Sequence, residues 1–545
     1  MFEKKYVCYK DFGAVGDGKT DDFLALKAAH AYANENKLPV KAESGAVYYI
    51  GNSGGETIII KTDTDWTGAT VIFDDSILTT SDPARKCAVM KVESDYLVKR
   101  HEEDSELVKA INAAGGIKTT TKKIPYSFGY AAMIVPYDTT HKVYIRYGGN
   151  ANAGQDQHEV ILVDKDGNID KDTPALLDYN NISYVLEYRI DEDPITITGG
   201  TFITRANSAP CSYSSHFNRN ILIARSNVTV RGFEHKIENE GDVGSSYSGI
   251  LTARDLNNLF VEDCTFQAHR YYVDEKRAPD GTFLKDENGR PVFGTSMGTY
   301  ELGGGNSNNI YYKNCKQSNF YDKNGKPTST WFDKNWNTAV RNDGGVASIW
   351  GVHGTNYTKN VVFDSCVLNR FDAHAGIYNA TVINCHIINI NLIGGGTALI
   401  KDTTVYNNGC FLTLRSDFGS TWNGNLRLEN VKWVNANENC NMISGSWANH
   451  YFGYETHLPE ITIDGFELVG PGKRVNVFGG YGISEDNDIT APICKNKEGE
   501  EVENKNPLDV SESIVIRNVK NEGLTFAAAP DTSFLSKTMS VIVEE

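Results

Sequence analysis

One phrase recurs through the chain: an asparagine or other turn residue, an alternating apolar run, an acidic or amide turn, then a cysteine. It reads NNLFVEDCTF at 257–266, NNIYYKNCKQ at 308–317, KNVVFDSCVL at 359–368 and YNATVINCHI at 378–387. The beat continues without cysteine in GTALIKDTTV (396–405), GNLRLENVKW (424–433), LPEITIDGFE (458–467) and SESIVIRNVK (511–520), and is present earlier in DPITITGGTF (193–202) and SNVTVRGFEH (226–235). A unit this short cannot bury its own apolar face, so consecutive copies must stack on one another. The period of two within each unit makes the stacked elements strands. The expected fold is therefore an all-β solenoid, and function is expected where the repeats line up.

Composition narrows the classes. The 50 glycines and 28 tyrosines of the 545 residues suit many short strands joined by tight turns. No apolar run reaches the ~18 residues of a membrane span, so no membrane partner is expected. The 70 acidic against 53 basic residues give a formal charge of -17, which disfavours a phosphate-binding surface, so no nucleic-acid partner is expected either. The start, MFEKKYVCYK, lacks the apolar core of a secretory signal. The expected location is cytoplasmic or phage-associated, or secreted if a signal has been removed.

Residues 10–33, KDFGAVGDGKTDDFLALKAAHAYA, combine glycine turns with a helix start. Thr20 and Asp21 are N-cap candidates, Asp22 lies near the positive end of the helix dipole, and Phe23, Leu26, Ala29 and Ala33 share one face. Such a helix covers the exposed first rung of a solenoid. The string DFGAVGDGKTDD followed by an apolar helix resembles the N-terminal signature of pectate-lyase-like and polygalacturonase-like right-handed parallel β-helix proteins, phage tailspikes among them. The resemblance implies that fold, a carbohydrate substrate, and, from the tailspikes, a homotrimer as the alternative to a monomer.

Three domains are expected: a cap with the first rungs at 1–85, an inserted β-rich subdomain at 86–192, and the main β-helix at 193–545. The insertion contains a charged, helical piece (ESDYLVKRHEEDSELVKAINAA), strand-like runs KVYIRYGG, EVILVDKDGNI and ISYVLEYRI, and a hairpin-type turn at 166–168. It is expected on the N-terminal end of the solenoid. Two shorter insertions, 274–296 and 321–337, are expected to build the walls of a cleft.

Cys264, Cys315, Cys366 and Cys385 hold one repeat position, so they should stack ~4.8 Å apart. Thr403, Val431, Phe466 and Val519 take the same place in later rungs, which suits an interior packing slot better than a metal site. Asp263, Asn314, Asn384, Asp402, Asn430, Asp464 and Asn518 just before it read as turn formers.

Used as a ruler, this slot locates candidate chemistry. Thirteen or fourteen positions before it stand Glu301, His353, Asp372 and Asp417. Adjacent rungs would set Glu301 beside His353 and His353 beside Asp372. Carboxylates two rungs apart, Glu301 with Asp372 or Asp372 with Asp417, approach the roughly 6.5–9.5 Å of an inverting glycosidase pair. Asp372, Asp417 and Glu301 are therefore the candidate catalytic residues. Arg370 and His374 share a strand face with Asp372, and Arg415 one with Asp417. With His353 they are candidate substrate-binding residues, joined by Tyr300, Trp350 and Trp422 as aromatic faces for sugar rings.

Against the resemblance, only His353-Gly354 matches the His-Gly element of polygalacturonase-like hydrolases; Asn337-Thr338 is followed by Ala339, and no Arg-x-Lys follows. The leading expectation is an inverting-type glycoside hydrolase without cofactor or metal. The alternatives are a polysaccharide lyase, with acidic residues available to hold calcium, and a phage-type protein that binds glycans without cleaving them.

Overall fold

The computed structural model describes residues 5–545 except 80, 146–153, 208–216, 240–246, 268–269, 276–292, 297–301, 318–338, 341–345, 350–352, 448–453, 455, 482–491, 496–499, 504–512, 534 and 545; of 270–275, 293–296, 302–304, 339–340, 346–349, 353–355, 374, 446–447, 480–481 and 494–495 it describes the backbone alone. Strands in parallel register join into a 34-stranded sheet that coils along the chain. Ile195 pairs with Val228, Val228 with Leu259, Leu259 with Ile310, Ile310 with Val361 and Val361 with Ala380, which is the register the repeated phrase demands. Each turn of the coil presents three faces. The first carries the phrase itself, the second follows the cysteine, and the third runs from Ile58–Ile60 through Leu302–Gly305 and His353–Asn356 to Thr525–Ala527. Parallel crossovers of this kind are right-handed, so the protein is a right-handed parallel β-helix.

Turn chemistry holds the corners. Asp263, Asn314, Ser365, Asn384, Asp402, Asn430 and Asn518 all have positive φ, the conformation that aspartate and asparagine tolerate best. In the rung that contains Asp464 the left-handed residue is instead Gly465 (φ 82°), and Asp464 pairs with Arg517 in the ladder, so it is not the turn former. At the other end of the phrase Asn258, Asn309, Asn360 and Asn379 each donate a side-chain hydrogen bond to the asparagine one rung before, at 2.8–3.1 Å. The four ladder cysteines are buried and line the core. Their thiols donate to carbonyls of the preceding rung, as Cys315 does to Val261 O at 3.4 Å, and Thr403 continues the line with its hydroxyl on Lys401 O at 2.7 Å.

The helix Phe23–Asn36 caps the first rungs with Phe23, Leu26, Ala29, His30 and Ala33 buried. Its N-cap is Asp22, whose carboxylate accepts from the Val15 and Gly16 amides, while Asp21 accepts from Phe23 N. His30 is wholly buried against Tyr9 (2.9 Å), which in turn accepts from Trp66 Nε1 (2.8 Å).

Residues 99–189 form a separate five-stranded antiparallel sheet. The helix Glu106–Ala113, N-capped by Ser105, closes its own core of Leu107, Val108, Ile111, Ile134, Ile161 and Val185. Helix takes only the end of the charged stretch; Lys99–His101 before it is a strand. Of KVYIRYGG, Lys142 and Val143 end the long strand Ala132–Val143, Tyr144 and Ile145 lie beyond it, and 146–149 lie outside the described residues. The docking place differs from the expected N-terminal end. Lys359 Nζ reaches Glu159 at 2.7 Å with both side chains fully buried, Asn360 donates to Asp172 O, and Tyr144 meets Tyr378 at 2.8 Å. The insertion thus lies along the middle of the solenoid, where the turn column of residues 357–360 offers donors to its free carbonyls.

Candidate functional site

Asp372, the first of the candidate residues, lies on the third face. On early rungs the chain leaves the corner between the second and third faces for long excursions, returning at Met90, Ile221, Leu251, Leu302 and His353. The strands Val367–Ala375 and His386–Leu392 instead turn that corner without a break. Arg370 and Asp372 lie there, beside the rung where the last long excursion returns. The excursions ending at Leu302 and His353 join through an antiparallel sheet of Arg270–Glu275, Phe293–Ser296, Ala339–Val340 and Val346–Ile349, with Arg270 opposite Ile349. The expected insertion 274–296 overlaps this sheet; 321–337 lies outside the described residues.

Phe371 and Ala373 belong to the core, so alternation sends Asp372 out of the opposite side of its strand. Its carboxylate is only 1 % exposed, held by Arg370 Nη2 at 3.1 Å, by Asn391 Nδ2 at 3.3 Å from the next rung, and by Arg415 Nη1 at 4.0 Å. Arg415 also clamps Asp417 through two hydrogen bonds, Nε to Oδ1 at 3.1 Å and Nη2 to Oδ2 at 2.8 Å. Such a planar fork fixes a carboxylate in orientation as well as position. Asp417 is the open member of the group, 27 % exposed. The result is a charge-balanced quartet, Arg370–Asp372–Arg415–Asp417, assembled from two rungs and a turn.

The register moves several expected members. Asp372 pairs with Gly354, while His353 stands opposite Phe371, one step away from the carboxylate's column. By register the residue beside Asp372 on that rung is therefore Gly354 and not His353. Asp417 is outside the column too: the register partner of Asn391 is Thr413, and Asp417 lies beyond it on the short 3-10 turn Ser416–Phe418. Arg415, not strand register, brings it back to Asp372. His374 falls at a shift in register, since Thr355 pairs with Ala373 and Asn356 with Ala375. Trp422 is 1 % exposed, packed in the core with Nε1 donating to Gly396 O at 3.1 Å, so its ring is closed to a sugar. Glu301, Tyr300 and Trp350 lie outside the described residues.

Three further residues join the candidate site, and only the first has a place in the sequence reading, where the rung led to Thr403 offers Asn389 or Asn391 at this position. Asn391 is the direct register neighbour of Asp372. Tyr454 donates its hydroxyl to Phe418 O beside Asp417, and burial pushes its pKa well up, keeping it a proton donor. Tyr144, from the insertion, packs edge-on to Tyr454 with centroids 5.9 Å apart. Only the Asn391 contact had a sequence signal, its place in the ruler's rung. As for metals, among the described residues no three His, Cys, Asp or Glu side chains converge. The quartet's carboxylates are turned to arginines, which does not suit the six to eight oxygens calcium takes.

Coiled parallel rungs and a helical N-terminal cap define a parallel β-helix protein. A solved structure shares it. The tailspike gp61 of Pseudomonas phage phi297 is similar with a TM-score of 0.50 at 12% identity, over 99% of this chain and 84% of that one. The tailspike gp54 of Acinetobacter baumannii bacteriophage AP22, solved in complex with a capsular saccharide, gives 0.48 at 9% identity over 98% and 79%. The family 28 exopolygalacturonase of Yersinia enterocolitica gives 0.35 at 10% over 99% and 78%. No protein-family model matches the chain, and no curated protein matches it.

Proposed function

We propose that the protein acts on a poly- or oligosaccharide at the third face, as a glycoside hydrolase of the inverting type. The observation that carries this reading is Arg415 bridging Asp372 and Asp417, which gathers two carboxylates from separate rungs at the foot of the excursions. The outer column through Asp372 supports it: Thr252, Gly303, Gly354, Asp372, Asn391, Thr413 and Ser444 follow one another in register, with no bulky residue. In this reading Asp417, the more open carboxylate, activates water, and Asp372 or Glu301 protonates the leaving oxygen. Arg370 and Arg415 bind hydroxyl or acidic substituents.

The 1 % exposure of Asp372 favours a second reading, glycan binding without cleavage. Purified capsular and lipopolysaccharide-derived polysaccharides distinguish the two. A hydrolase yields fragments whose masses carry one added water, and Asp372→Asn or Asp417→Asn lowers turnover by at least about a hundredfold while retention of the polymer persists. Retention with no fragments from the wild type selects binding alone. Unsaturated products absorbing in the ultraviolet select the lyase, and a fully active Asp372→Asn protein refutes the site.

A further inference from the structure

Among the described residues, the insertion approaches the quartet through Tyr144. Tyr144 follows the long strand Ala132–Val143 with φ of 51°, and its ring is buried between two segments of the solenoid. On one side is Gly376, four residues past Asp372. A Cβ there would lie 2.6 Å from Tyr144 Cε2, so the glycine leaves the notch that the ring fills. On the other side is Tyr454, whose hydroxyl holds Phe418 O, next to Asp417. The Tyr144 hydroxyl bonds Tyr378, fixing the ring's rotation. Phe418 in turn lies 5.0 Å beneath the Arg415 guanidinium.

We propose that Tyr144 and Tyr454 are positioning residues that set the separation of Asp372 and Asp417, so that the inserted subdomain is a working part of the site. The turn Ser416–Phe418 lies outside the strand ladder, with its own hydrogen bonds closing on Arg415 and Ser416. Beside the link from Arg415 to Asp372, the Tyr144–Tyr454 pair is wedged between the turn and the Asp372 strand. This rests on the quartet being the site of action, but its structural half can be read without any substrate.

Hydrogen exchange measured by mass spectrometry on residues 415–421 reads that half. Tyr454→Phe, which removes only the hydroxyl, and Tyr144→Ala, which removes the wedge, are expected to speed exchange there about tenfold, the worth of one ordinary hydrogen bond. Tyr144→Phe keeps the ring and should restore the wild-type rate. On a polysaccharide that the wild type depolymerises, Tyr454→Phe and Tyr144→Ala should lower kcat about tenfold with KM nearly unchanged, and Tyr144→Phe should recover it. Unchanged exchange at 415–421 in a folded Tyr454→Phe protein overturns the proposal, and so does an equal change in kcat and in KM. Faster exchange with a fully active Asp372→Asn protein keeps the positioning and discards the catalytic reading instead.

Discussion

The insertion is fastened to the solenoid by a buried ion pair, and removing one half of it has a calculable cost. Lys359 and Glu159 are both 0 % exposed and 2.7 Å apart. Burial holds the Lys359 pKa below the ordinary lysine value, and Glu159 opposes that shift. Lys359 also donates to Pro174 O at 2.7 Å, and Glu159 accepts from the Leu176 and Leu177 amides at 2.9–3.0 Å. Lys359→Met strands a carboxylate away from water, a change that costs roughly 3–5 kcal/mol elsewhere. The two remaining amide donors still satisfy Glu159, so the lower end, about 3 kcal/mol, is expected here. Adding Glu159→Gln removes the stranded charge, and the double replacement should cost less than Lys359→Met alone. Urea unfolding of the intact chain measures the loss, and hydrogen exchange at 172–177 shows whether it falls at the docked surface. A Lys359→Met protein within ~0.5 kcal/mol of wild type, or a double replacement that costs the sum of the singles, refutes the reasoning.

Two further outcomes follow from burial. His30 has its pKa depressed by burial to about 3, so between that value and the ordinary ~6.5 the unfolded chain binds a proton that the folded one refuses. Stability from this residue is complete above pH 6.5 and falls with acidification, by about 2 kcal/mol at pH 5; urea midpoints across this range should show a slope that His30→Gln flattens. Trp422→Ala should cost about 3–5 kcal/mol of stability, and its retention of any bound polysaccharide should match wild type at temperatures where it stays folded, whereas a sugar-stacking residue would lose affinity first.

Much of the fold was legible because it repeats. The cysteine slot, the left-handed Asp and Asn turns and the cap helix are local consequences of period-two alternation, positive φ and one apolar helix face, and the pairs Ile310–Val361 and Val361–Ala380 lie where the phrase sets them. The site was legible in part. Asp372, Arg370, Arg415 and Asp417 stand out as charged residues in register with the repeat, and these four meet. The ruler slipped where spacing is not conserved between rungs: a one-residue difference put Gly354 rather than His353 opposite Asp372, and a 3-10 turn carried Asp417 out of the column. Trp422 misled because a tryptophan beside polar residues reads alike whether it ends inside or outside the wall.

Sequence by itself determined the rung, its inward and outward sides and its corners, since alternation, turn propensity and burial act within one repeat. Tertiary structure alone decided where the insertion docks, that Lys359 faces Glu159, and that Tyr144 fills the notch at Gly376 beside Tyr454. Those contacts join residues more than 180 positions apart, and no local pattern records them, because their energy exists only once two separately folded surfaces exclude water together.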